Sequence, residues 1–154
     1  MPELSDAVRT GRRTTTATPD EVFAVLADGW SYATWVVGAS RVRDVEPGWP
    51  AKGTRIHHSF GMWPLVIDDV STVLEVEQGR HLRLQAKGWP MGEATVDLTL
   101  HPEGTGCRVE IREDATAGPG RLVPLPARQL GIVPRNVEAR RRLCLVAEGR
   151  ANKG

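Results

Sequence analysis

A chain of 154 residues is the size of one domain. Its 20 Lys and Arg against 19 Asp and Glu leave a formal charge of +1, which argues against a basic nucleic-acid binder and against a polybasic membrane-surface protein. Hydrophobic residues make up 40% and charged residues 25%, enough for one core, and no apolar run approaches the roughly 18 residues of a membrane helix.

In chain order, Val8–Ala17 is rich in Thr and Arg and predicts a first strand. Thr18 then reads as an N-cap, with Pro19 at the first helical position and Glu21 completing a capping box. Val22, Phe23, Val25 and Leu26 supply the apolar stripe, and Asp28-Gly29 stops the helix. Trp30–Trp35 predicts a second short helix, and Gly38 breaks the chain before a strand at Ser40–Val45. Strands follow at Thr54–Phe60, Pro64–Glu77, His81–Lys87, Glu93–His101 and Cys107–Glu113, separated by Gly and Pro turns. In the last three, Leu82, Leu84 and Ala86, then Ala94, Val96, Leu98 and Leu100, then Cys107, Val109 and Ile111 alternate with polar residues. Each strand therefore has one buried and one wet face, as in an antiparallel sheet.

Gly118-Pro119-Gly120 ends the sheet. A less regular helical stretch is expected around Ala127–Val133, and a firm helix from about Pro134 to Glu148, before Gly149. Val133, Val137, Cys144 and Ala147 share a face of that helix. Such an order gives an α+β domain, with one curved antiparallel sheet whose inner face the terminal helix covers.

Several pieces resemble the START/Bet v 1-like superfamily (SRPBCC), in particular its polyketide cyclase/dehydrase-type proteins. They are Ala17–Leu26 at the first helix, Trp35–Ala39 after it, Trp49-Pro50 with Gly53, and His57-His58-Ser59. Gly61 with Pro64, Gly104-Thr105 and Arg135–Glu138 complete them. The resemblance runs over nearly the whole chain. It implies a helix-grip fold of about seven strands wrapped around a long C-terminal helix, and a single domain over residues 1–154. It also implies an elongated apolar cavity for a polyketide, sterol, lipid or similar molecule. A departure from that pattern is Arg140, where the resemblance implies an apolar residue, within the run Arg140-Arg141-Arg142. Arg140 either snorkels along its stem or anchors an anionic group at the cavity mouth.

Other residues offer chemistry. His57 and His58 are neighbours on a strand, so one of them faces inward, and the phase with Ile56 and Phe60 selects His58 as an acid, base or ligand partner. Asp68 shares a phase with Val66, Val70, Thr72 and Leu74, which predicts that it points inward rather than Asp69; a bulge would reverse this. Of five tryptophans, Trp35, Trp63 and Trp89 are the best candidates for cavity walls. The expected lining is thus Trp35, His58, Phe60, Trp63, Asp68, Trp89, Val137, Arg140 and Cys144. Cys107 and Cys144 read as buried, reduced thiols, and no spacing suits zinc. There is no GxSxG, P-loop, GxGxxG or HExxH, so no nucleotide, metal or other cofactor is expected.

The function expected is binding of a hydrophobic small molecule, with polyketide cyclisation or dehydration as the enzymatic version. A non-catalytic lipid, quinone or sterol-like carrier or sensor is the alternative, and an interaction protein with a vestigial cavity a third. A cytoplasmic monomer or homodimer is expected, since Met1–Asp6 shows no apolar segment behind a basic start.

Overall fold

Thr18 caps the first helix as its sequence predicts. Its hydroxyl accepts from the Glu21 amide at 3.2 Å, and the Glu21 carboxylate accepts from the Thr18 amide at 2.9 Å. The computed structural model describes residues 12–61, 64, 66–87, 93–117, 122 and 125–153, the side chains of 114–117 and 125–134 excepted. Helix α1 spans Pro19–Ala27, a 3-10 turn Gly29–Ser31 and helix α2 Tyr32–Trp35. Among the described residues, seven strands flank or follow them: β1 (Arg12–Thr15), β2 (Ala39–Val45), β3 (Arg55–Phe60), β4 (Ile67–Glu77), β5 (His81–Lys87), β6 (Glu93–Glu103) and β7 (Gly106–Ala117). Helix α3, Leu125–Ala151, closes the order.

The strands form one curved antiparallel sheet in the order β1-β7-β6-β5-β4-β3-β2. Hairpin connections place β2 to β7 side by side, and β1 returns to pair with β7. α3 lies across the concave face, packed on β7, α1 and α2. This is the helix-grip arrangement.

α3 is longer than its sequence suggests, and its 27 residues reach about 40 Å. Pro134 lies inside it rather than at its start, and Gly149 inside it rather than beyond its end. Burial of the stretch from Asn136 to Ala147 against the sheet and the two short helices outweighs the local break signal at Gly149. The buried positions of α3 are Asn136, Ala139, Arg140, Leu143, Cys144 and Ala147, a 3-1-3-1-3 spacing on one stripe. That stripe is rotated by about 50° from the one drawn through Val133, Val137, Cys144 and Ala147, at 100° per residue. Val137 is consequently only half-buried at its edge, and the side chain of Val133 lies outside the described residues.

One half of the interior is closed. Leu82, Leu84, Leu98, Leu100, Val109 and Ile111 from the sheet meet Val22, Phe23, Val25 and Leu26 of α1 and Leu143, Cys144 and Ala147 of α3. Polar clamps hold this half together. Thr15 of β1 donates to Glu148 of α3 at 2.6 Å, and Arg150 pairs with Asp28 at 2.8 Å. Among the described residues, no helix is long and apolar enough to cross a membrane.

Candidate functional site

The other half of the concave face is built differently. Ser71, Ala86 and Ala94 stand opposite one another across β4, β5 and β6, a transverse row of small side chains. The next row, Val73, Leu84, Val96 and Glu113, is larger and leads into the closed core. Ala86, Ala94 and Val96 point inward yet are only half-buried, so solvent reaches the concave face here. Arg135 of α3 is ion-paired to Glu113 of β7, and the Arg140 guanidinium donates to the Ile111 carbonyl at 3.3 Å. Those two contacts fix the direction of α3 over the sheet. Its N-terminal half therefore runs out beyond the Glu113 row, toward the row of small residues.

Beside this floor sits a chain of uncharged polar groups. Tyr32 Oη lies 2.9 Å from Ser71 Oγ, and His58 Nε2 lies 3.1 Å from the same oxygen. The Tyr32 and His58 rings are 4.8 Å apart at 39°, and Trp35 meets Tyr32 edge-on at 5.5 Å. α2 delivers Tyr32 and Trp35, β3 delivers His58, and β4 delivers Ser71. His58 is 1% exposed, and its Nδ1 has no hydrogen-bond partner. Burial lowers the His58 pKa to about 4, helped by the charges of Arg43 and His57, so the ring is neutral near pH 7. Burial also pushes the Tyr32 phenol up to about 12, against the opposing hydrogen bond from Ser71.

Three ionisable groups surround the chain. Asp69, Glu113 and Arg135 all lie close enough to Tyr32 to act on its phenol electrostatically. Asp69 is the cross-strand partner of His58 and shares its face. Burial raises the Asp69 carboxyl above its ordinary value, although the Val70 amide and the charges of Lys87 and Arg43 oppose this. Among the described residues, no group of three or more His, Cys, Asp and Glu side chains has metal-binding geometry.

His58 and Trp35 are buried at this site, and Phe60 is half-buried with its ring against Gly38. Asp68, expected to point inward, is exposed on the convex face, where Ser59 donates to it at 2.9 Å and Arg43 lies 3.5 Å away. The inward set of β4 is instead Ile67, Asp69, Ser71 and Val73, because a bulge after Val73 shifts the phase of the strand. Arg140, expected at a cavity mouth, is 2% exposed at the centre of the buried stripe of α3. Cys144 is fully buried in the closed half, and the thiols of Cys144 and Cys107 are free. Trp63 and Trp89 lie outside the described residues. Of the other tryptophans, Trp49 donates to the Leu26 carbonyl at 3.0 Å as a structural plug, and Trp30 is 61% exposed.

Sequence reasoning missed Tyr32, Ser71, Glu113 and Arg135. A signal for Tyr32 existed: it is the single tyrosine of the chain, beside two tryptophans in an uncharged segment. Ser71 becomes visible only once the bulge has set the phase of β4.

The family described as polyketide cyclase / dehydrase and lipid transport matches residues 7–144. The chain belongs to this family. No curated protein gives a sequence match. Solved structures show the same fold at low identity. Ara h 8.0201 is 12% identical, with a TM-score of 0.68 over 90% of this chain and 95% of its own. A protein from Rhodobacter sphaeroides is 20% identical, with a TM-score of 0.66 over 90% of each chain. The di-domain ARO/CYC StfQ of the steffimycin biosynthetic pathway is 17% identical, with a TM-score of 0.68 over 92% of this chain and half of its own. Family membership supports a hydrophobic ligand-binding fold.

Proposed function

We propose that the protein binds a hydrophobic small molecule in the hollow between the Ser71, Ala86 and Ala94 row and the N-terminal half of α3. The observation that carries this reading is the inward-facing but half-buried state of Ala86, Ala94 and Val96. Apolar surface turned toward the interior of a protein and still wetted gains free energy when a ligand covers it, by about 25 cal/mol per Å². The family's association with polyketide cyclisation, dehydration and lipid transport agrees with an apolar cargo.

A second reading, enzymatic cyclisation or dehydration of a polyketide-like substrate, is favoured by one observation. Asp69 is a partly buried carboxyl of raised pKa on the same face as the Tyr32, Ser71 and His58 chain. A carboxyl tuned upward beside neutral hydrogen-bond donors is a pairing suited to proton transfer. The hollow itself would supply orientation by holding a flexible chain folded.

Native mass spectrometry of the purified protein tests the binding reading. A co-purifying apolar molecule is expected, released on denaturation. Saturable quenching of tryptophan fluorescence by added apolar ligands is expected as well, since Trp35 abuts Tyr32. Absence of both, across ligands of one to four rings, refutes the reading.

A further inference from the structure

The polar chain at the hollow has a property that follows from its atoms. Ser71 Oγ is the shared centre, with one proton to donate and lone pairs to accept. With the Tyr32 phenol donating to Ser71 and Ser71 donating to His58 Nε2, the ring proton sits on Nδ1. The site then presents an N–H donor. With His58 Nε2–H donating to Ser71 and Ser71 donating to Tyr32 Oη, the arrangement reverses. Nδ1 becomes a bare acceptor, and the phenol proton is released to donate elsewhere. Loss of one ring proton to water and gain of the other from water interconverts the two neutral forms.

We propose that Tyr32, Ser71 and His58 form a reversible hydrogen-bond relay that selects ligands headed by an uncharged oxygen (a hydroxyl, phenol or ketone) over carboxylates. This rests on the binding reading above and names the class of head group that the same site takes. Two independent observations point to a ligand there. His58 Nδ1 is a buried polar atom without a partner, on a side chain 1% exposed, and such an atom is costly until something meets it. In the adjoining row, Ala86 and Ala94 share the inward face with Ser71 and are only half-buried.

Charge argues for the neutral head. The ring of His58 stays uncharged, so it offers a ketone a neutral donor and a hydroxyl a neutral acceptor. Asp69 stands opposite His58 on β4 and repels an anion at that position. Arg135 of α3, close enough to act on Tyr32, is paired to Glu113. A carboxylate would enter beside one carboxyl, Asp69, and near a cation already paired to another, Glu113.

Equilibrium dialysis of the full chain at pH 7 with four probes of equal ring system tests the idea. They are 2-methylnaphthalene, 2-naphthol, 2-acetylnaphthalene and 2-naphthoate. Naphthol and acetylnaphthalene are expected to bind about tenfold tighter than methylnaphthalene, the worth of one hydrogen bond, and naphthoate weakest of the polar three. His58→Phe, which removes Nδ1, should bring the two neutral polar probes to within about twofold of methylnaphthalene, and Ser71→Ala and Tyr32→Phe, which leave Nδ1 without its relay, should each lower their advantage by a smaller factor. Should those variants fail to fold, side-chain ¹⁵N spectra of the wild-type protein decide. Acetylnaphthalene should drive His58 to the Nδ1–H tautomer and naphthol to the Nε2–H tautomer. Binding of methylnaphthalene with no gain from a neutral oxygen, tighter binding of naphthoate, or an unmoved His58 tautomer overturns the relay and leaves the pocket. Failure of all four probes to bind overturns the pocket itself.

Discussion

Acid should cost this fold more than its carboxylates explain, and His58 is the reason. The folded-state pKa of His58 is lowered from 6.5 to about 4 by burial, so the folded protein resists taking up a proton that the unfolded chain accepts. Its contribution is therefore fully present above the unfolded value and is lost as pH falls toward the folded one. Integrating the two titrations gives a loss of about 2 kcal/mol by pH 5 and about 3 kcal/mol by pH 4. That is a large share of a typical stability of roughly 5–15 kcal/mol. The groups that share the face of His58 are Tyr32 from α2 and Asp69 and Ser71 from β4, while the charges of Arg43 from β2 and of His57 act on it from the other face of the sheet. Of these, Asp69 acts in the opposite sense, because its raised pKa makes protonation easier in the folded state. A variant comparison separates them. Urea unfolding of the wild type and of His58→Gln should be followed by tryptophan fluorescence from pH 7.5 to pH 4.5. The wild-type advantage should shrink by about 2 kcal/mol by pH 5, since glutamine keeps a polar partner for Ser71 and does not titrate. Parallel pH profiles for the two proteins, or an NMR titration of His58 with a midpoint near 6.5, would refute the reasoning.

How much of this was legible in the sequence depended on whether one physical signal dominated. In β5, β6 and β7 one face is dry and the other wet, so alternation alone placed Leu82, Leu84, Leu98, Leu100, Val109 and Ile111. β4 carries branched residues on both faces. Val70, Thr72 and Leu74 point outward and suit a pleated surface as well as a core, which outvoted Ser71 and put Asp68 on the wrong side. On α3 the charge of Arg140 excluded it from the apolar stripe and turned the stripe away from Leu143, although an arginine stem packs as well as a leucine does. The polar relay was beyond reach for another reason. Tyr32, Ser71 and His58 come from three elements, separated by 39 and 13 residues from Ser71, and no spacing rule links them. A small-residue row across a sheet is likewise a property of register, which exists only after the strands have paired.

The remaining predictions concern the scaffold. Gly106→Ala should cost about 3 kcal/mol or more in urea unfolding, because the new methyl would lie 2.0 Å from the Thr15 carbonyl oxygen of the paired strand; a loss under 1 kcal/mol would contradict the close approach. Thr18→Ala should cost about 1 kcal/mol through loss of the capping box, with Thr18→Ser largely restoring it. Cys107 and Cys144, with thiols raised by burial to about 11 and about 12, should both resist a thiol reagent at pH 8 in the native state and react in urea; rapid native labelling of either would count against their burial. Arg140 gives the sharpest contrast. Burial lowers its guanidinium pKa, and its stem fills the centre of the α3 stripe. Arg140→Ala, which leaves a void, should cost about 2–4 kcal/mol. Arg140→Met fills similar space and removes a desolvated charge, so it should lie within about 1 kcal/mol of the wild type. The naphthoate-to-naphthol affinity ratio should not move in Arg140→Met, because a side chain at the centre of the packed stripe does not meet the ligand. A methionine variant as unstable as the alanine variant would show that the charge holds this region together, and a shifted ratio would return Arg140 to the binding site.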